Sequence, residues 1–305
     1  MTTHLDIICF PGAPNLPIFV AQEKGLFEQA GVTVNLTTTP SSAFQAENLA
    51  AGTFQIAGTA FDNVVAYQEG QGAVKLPQVP DFFAFMGATQ VELAFVTQPD
   101  IATYADLRGK SLALDALSTG FAFVLYEMLE KNGLTKADYS MVAVGATPQR
   151  WDSVKAGTHA GTLTIEPFTS IARNQGFKVL DTSSNMLAAY QGGSFAASRA
   201  WAAAHPDALK AYIKGYLAGL EWTLDPANRE EATRILLERM PEIKPPVAGA
   251  VMNSLLSPRS GLTPRAGMLM DGVDTVLALR SKYGTGAKLT DPARYIDLSY
   301  YNQAL

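Results

Sequence analysis

The chain has 305 residues, of which 48% are hydrophobic and 17% charged, and carries a net charge of −5. That length allows two packed cores, and the acidic balance leaves no basic stripe to grip nucleic acid. A single cysteine, Cys9, excludes an internal disulfide and a thiolate zinc cluster, and no apolar run reaches the ~18 residues of a spanning helix.

The chain opens with three strand–turn–helix units. Leu5 to Phe10 reads as a strand, Pro11 to Asn15 as its turn, and Leu16 to Ala30 as one helix. Val32 to Leu36 follows as a strand, with a turn at Thr39 to Ser42 and a helix to Ala51. Thr53 to Ala57 is the third strand, with Gly58 to Ala60 as its turn and a helix to Gln68. Strands alternating with helices imply parallel pairing and right-handed crossovers. All the strand-to-helix turns then fall on one sheet edge, where ligands bind. Ser42-Ala43-Phe44-Gln45 and Thr59-Ala60-Phe61-Asp62 both fit a capping box.

After a Gly/Pro-marked loop at Gly70 to Pro80, Phe82 to Gly87 and Val91 to Val96 read as strands. Lys110 to Asp115 is a strand, Ala116 to Gly120 a turn, and Phe121 to Asn132 a helix that Gly133 ends. Ser140 to Val144 is a strand before the helix start Thr147-Pro148. Gly161 to Ile165 precedes a second helix start at Glu166-Pro167. The segment Tyr190 to Ala197 is a return crossing, whose Gly192-Gly193 pair reads equally as a hinge or a bulge. Helices at Pro206 to Leu224, Asn228 to Met240, Val247 to Leu256 and Pro264 to Tyr283 complete the chain.

Catalytic chemistry is poorly supplied. His4, His159 and His205 sit in no triad context, and no His-Glu-x-x-His, Walker or Gly-x-Gly-x-x-Gly pattern occurs. Cys9 has no positioned base and reads as a small buried residue. No cofactor and no metal are expected.

Three phrases carry a family resemblance. Ala21-Gln22-Glu23-Lys24-Gly25-Leu26-Phe27-Glu28-Gln29-Ala30-Gly31 resembles the "A-x-x-x-G-[LF]-F-x-x-x-G" signature of type II periplasmic solute-binding proteins, in the NMT1/THI5-like, sulfonate- and taurine-binding group. Ala51 to Ala57 resembles that group's "A-G-x-x-D-I-A", and Ala105 to Lys110 its "A-D-L-K-G-K". The resemblance implies an α/β, periplasmic-binding-protein type II fold: two lobes joined by two crossing strands, with the ligand cleft between them. One lobe would hold residues 1–92 and 191–305, the other 93–190. The implied function is capture of a small organic molecule, pyrimidine-like or sulfonate-like, by lobe closure for ABC-transporter uptake. The expected partners are that ligand and an ABC permease, with no membrane insertion and a monomeric state. The alternative is a cytosolic enzyme or ligand sensor on the same fold. THI5-type enzymes carry a cysteine-rich motif and a histidine that this chain lacks.

Expected ligand contacts are Asn15, Thr39, Ser42, Thr59 and Ala60 on the first lobe's turns, and Ser118, Thr119 and Gly120 on the second's. Trp151 and Tyr190 could stack on a flat ligand, with core packing as the rival reading. Glu166 sits where the group places a cleft loop, with a plain helix cap as its rival. Asp62 is a capping partner or a direct contact. Asp62, Asp115 and Glu166 against one nearby cation, Arg150, favour an amine-bearing or neutral ligand, with a sulfonate second. The group's "G-x-[VI]-D-A" is here Gly157-Thr158-His159-Ala160-Gly161 without the aspartate, so that side of the cleft is expected to differ. Met1-Thr2-Thr3-His4 carries no signal-peptide pattern. A periplasmic address is expected if an export signal was removed, and a cytoplasmic one if Met1 is the native start.

Overall fold

The computed structural model describes residues 3–305, so Met1 and Thr2 lie outside the described residues. In chain order the strands are β1 (Thr3–Cys9), β2 (Val32–Thr38), β3 (Ile56–Ala60), β4 (Phe82–Thr89), β5 (Ala94–Thr97), β6 (Lys110–Leu114), β7 (Tyr139–Ala143), β8 (Gly161–Thr164), β9 (Lys178–Thr182) and β10 (Gly193–Ser198). Among the described residues they form two five-stranded sheets, ordered β2-β1-β3-β10-β4 and β7-β6-β8-β5-β9. In each, three parallel strands come from β-α units, and the other two run antiparallel to a neighbour. The chain is therefore two α/β lobes. It crosses between them after β4 and returns before β10, and the Gly192 amide donates to Gln90 O at 3.1 Å where the crossings meet.

The first lobe carries α1 (Leu16–Glu23), α2 (Leu26–Ala30), α3 (Ser42–Ala50) and α4 (Phe61–Gln68). The expected single helix from Leu16 to Ala30 is two. Gly25 adopts φ 64° between them, a conformation that costs glycine little. The third strand lies three residues later than expected. Gly58 to Ala60 stay extended because β10 pairs with them, Gly193 opposite Ala60 and Phe195 opposite Gly58. That partner lies far along the chain, so no local pattern reveals it.

Both expected capping boxes give way to other bonds. The cap of α3 is Ser41, whose Oγ accepts from the Phe44 amide at 3.1 Å. Gln45 instead donates its amide to Ile8 O and Gly58 O. Ala60 occupies the cap position of α4 without a side-chain bond, and the Thr59 hydroxyl accepts from Asn63 Nδ2 at 2.9 Å.

The second lobe carries α5 (Gly120–Lys131), α6 (Thr147–Lys155) and α7 (Phe168–Asn174). The C-terminal part is α8 (Arg199–Ala204), α9 (Pro206–Leu224), α10 (Arg229–Arg239), α11 (Pro245–Leu255), α12 (Met270–Tyr283) and α13 (Ser299–Ala304). The expected helix from Pro264 to Tyr283 is interrupted before α12, where Arg265 takes φ 57°. Apolar spacing along α9 seats Leu209, Tyr212, Ile213, Tyr216 and Leu220 on the first sheet, beside Ile7, Phe85 and Phe195. Two late helices reach the other lobe: α11 packs on α7, and α12 packs on both α4 and α5. No described helix is long and apolar enough to cross a membrane.

Candidate functional site

The strand-to-helix turns of both lobes face one another around a cavity of about 100 Å³. One water needs ~10–15 Å³ on this measure, so the space suits a ligand of several heavy atoms. Phe10, Asn15, Ser42, Thr59, Ala60 and Asn63 line it from the first lobe. Asp115, Thr119, Gly120, Phe121, Thr147, Arg150 and Ile165 line it from the second, and Gly192 to Phe195 from the return crossing.

The two rims touch. The Ala146 amide donates to Pro40 O and the Ala13 amide to Glu166 O, each at 2.9 Å. The Ser42 amide and hydroxyl both donate to the Asp115 carboxylate. The lobes are therefore closed on the cavity, and the Asp115 carboxylate accepts from the partner rim.

Arg150 is the cavity's cation. It is 3% exposed, and one guanidinium nitrogen donates to Thr147 Oγ1 at 2.8 Å. The other two nitrogens have no partner in the protein. Burial pushes its pKa down to about 10, against the pull of the Asp115 charge. It nonetheless stays protonated at neutral pH. A buried cation with unspent donors is costly, because no group of the protein accepts from those two nitrogens. Thr147 and Arg150, three apart on α6, share a helix face. The sequence pointed to Arg150 as the one nearby cation and to Thr147 as a helix start; the helix begins at Thr147, with Ala146 as its cap position.

Six expected contacts line the cavity: Asn15, Ser42, Thr59, Ala60, Thr119 and Gly120. Six do not. Thr39 is buried and donates its hydroxyl to Ser41 O at 2.8 Å. Asp62, 1% exposed, is held by Arg280 through two bonds of 2.7 and 2.6 Å. Ser118 offers only its carbonyl, which accepts from the same arginine at 2.7 Å. Trp151 packs edge-on to Phe177 at 4.7 Å, in a core behind α6 and α7. Tyr190 is buried in the main core, close against Gly272 of α12. Glu166 turns its carboxylate to Ser170, accepting from Oγ at 3.0 Å and the amide at 3.3 Å. Burial pushes its pKa up, and the Ser170 bonds only partly offset this.

Residues that the sequence did not point to supply much of the wall. Phe10, Phe121, Ile165 and Phe195 make it apolar, and Tyr216 reaches it from α9. Cys9 is buried outside the lining, and burial drives its thiol up to about 12, so it stays protonated.

No curated protein matches the chain by sequence. The periplasmic nitrate-binding protein NrtA of Synechocystis PCC 6803 is similar in structure over 99% of this chain and 88% of that one, with TM-score 0.81 and 15% identity. The alkanesulfonate-binding protein SsuA of Xanthomonas axonopodis pv. citri, bound to MOPS, covers 99% of this chain and 97% of its own at TM-score 0.73 and 16% identity. The desulfurization enzyme DSZB is similar over 99% and 98%, at TM-score 0.66 and 10% identity. These likenesses establish the periplasmic-binding-protein fold. The model of the NMT1-like family matches residues 2–237, and the chain belongs to that family.

Proposed function

We propose that the protein captures a small organic anion between its lobes and delivers it unchanged to an ABC-type importer. The observation that carries this reading is Arg150, a buried guanidinium with two unspent donors in the wall of a closed, mostly apolar cavity. An acid group supplies the missing acceptors as charge-assisted bonds. Phe10, Phe121 and Ile165 then suit a carbon body. The amine-bearing or neutral ligand drops to second place, because Asp62 and Glu166, which favoured it, face away from the cavity. SsuA and NrtA, named for sulfonate and nitrate, are consistent with an anion.

Lobe boundaries at 1–92 with 191–305, and 93–190, fit this role, and one chain supplies the whole wall, so a monomer suffices. An importer component works outside the cytoplasm, and the reading frame upstream of the gene start tests that address. The enzyme reading, kept in view by DSZB, has less support. Cys9 does not line the cavity, and His159 is bonded to Ser111 at 2.9 Å away from it.

Calorimetry with short carboxylates and sulfonates, against uncharged pyrimidines, tests the proposal. Acids should bind, and Arg150→Gln should weaken them by roughly 1.5–3 kcal/mol, the scale of bonds to charged groups. Pyrimidine binding without acid binding would overturn it. So would turnover of a bound acid.

A further inference from the structure

Arg150 is not the sole unsatisfied group in the cavity wall. Tyr216 lines the same cavity from α9, is 1% exposed, and its hydroxyl has no hydrogen-bond partner in the protein. Its ring is fixed edge-on to Phe195 at 4.7 Å. Burial raises its pKa, so the phenol stays an O–H donor. A phenylalanine would fill the same space without burying an unpaired polar atom. An oxygen of a molecule entering the cavity would give that proton an acceptor.

Resting on the anion reading, we infer that the ligand is two-ended. Its acid head meets Arg150 on the second lobe. A distal carbonyl or hydroxyl oxygen accepts from Tyr216 on the first. The class is therefore a short oxo- or hydroxy-substituted acid with an apolar middle, and not a plain aliphatic or aromatic acid. Tyr212, the neighbouring tyrosine on α9, provides an internal control. Its hydroxyl is equally buried and unpartnered, but it does not line the cavity.

The test uses three matched pairs: valerate and levulinate, benzoate and para-hydroxybenzoate, benzenesulfonate and para-hydroxybenzenesulfonate. Affinities are measured by calorimetry on wild type, Tyr216→Phe and Tyr212→Phe, with melting curves to show that each variant folds. In wild type the oxygen-bearing member of at least one pair should bind about fivefold or more tighter than its parent, the scale of one buried hydrogen bond. Tyr216→Phe should erase that preference, while Tyr212→Phe should preserve it. Parents and oxygen-bearing acids binding alike in wild type would overturn the two-ended ligand alone and leave the anion reading standing. A preference that survives Tyr216→Phe does the same. If no acid of any pair binds, the anion reading falls and this inference falls with it.

Discussion

At the scale of single residues, Arg150 is the buried charge of the cavity wall with two nitrogens that no protein group accepts from. Arg150→Met removes a buried, half-satisfied charge, so the ligand-free protein should melt at an equal or higher temperature. The same variant should lose the melting-temperature gain that acids give wild type. A lower ligand-free melting point would mean that Arg150 holds the lobe together instead. Glu166 tests a different balance. Its folded pKa lies above the ordinary 4.5, because burial favours the neutral acid. Its contribution to stability is therefore full below that ordinary value and is lost as pH rises through the folded pKa. Glu166→Gln stays neutral throughout. The melting-temperature difference between variant and wild type should thus move in the variant's favour from about pH 4 to about pH 7, and a flat difference would refute the burial argument. Acid affinity should hold in this variant, since the carboxylate faces Ser170.

At the scale of elements, α12 is the bolt between the lobes. Arg280 leaves it to grip Asp62 on α4, donates to Ser118 O, and lies over the Phe123 ring of α5 at 4.7 Å. One turn on, Lys282 and Tyr283 bond Glu127 of α5, each at 2.7 Å. Breaking a buried pair from one side leaves a bare charge, so Asp62→Asn or Arg280→Ala should cost ~3–5 kcal/mol in chemical denaturation. The double change to Leu and Met should cost clearly less than the sum. Equal and additive losses would show that the two side chains are not coupled. Gly120, which opens α5, explains why the bolt can close so tightly: a Cβ there would meet Asp62 Cβ at 2.5 Å. Sequence reasoning reached the strand–turn–helix units and the six turn residues because hydroxyls, amides and glycines at turns are local signals. It placed Asp62 in a capping box because Thr59 stood three residues before it. The partner that claims it, Arg280, lies 218 residues away. Trp151 and Tyr190 were ambiguous for a related reason, since aromatic size suits a core and a binding wall alike. Tyr216 carried no signal apart from its place on the buried face of α9.

At the scale of the whole molecule, the described state is the closed one, with both rims bonded backbone to backbone. Ligand can favour it only through differential affinity for closed over open. Acids should therefore contract wild type in solution scattering and leave Arg150→Gln unchanged; contraction of both would detach closure from the guanidinium. The return crossing bears on how this motion is accommodated. A Cβ on Gly192 would meet Gln90 O at 2.3 Å, and the pairing of β10 with β4 slips between Gly193 and Ser194. Gly192 thus serves a close approach, and the pair marks a bulge.

The bolt formed by α12 also separates two properties that most binding sites confound. None of its residues lines the cavity, so loosening or tightening it should shift the share of closed molecules and scale every affinity by one common factor. Arg150 and Tyr216 set the ranking among ligands and leave that factor alone. The protein thus has a volume control apart from its tuning dial. Graded substitutions at Lys282 or Tyr283 should give a family of binders with the same preferences and affinities shifted together by about fivefold or less, the scale of a partly exposed ion pair.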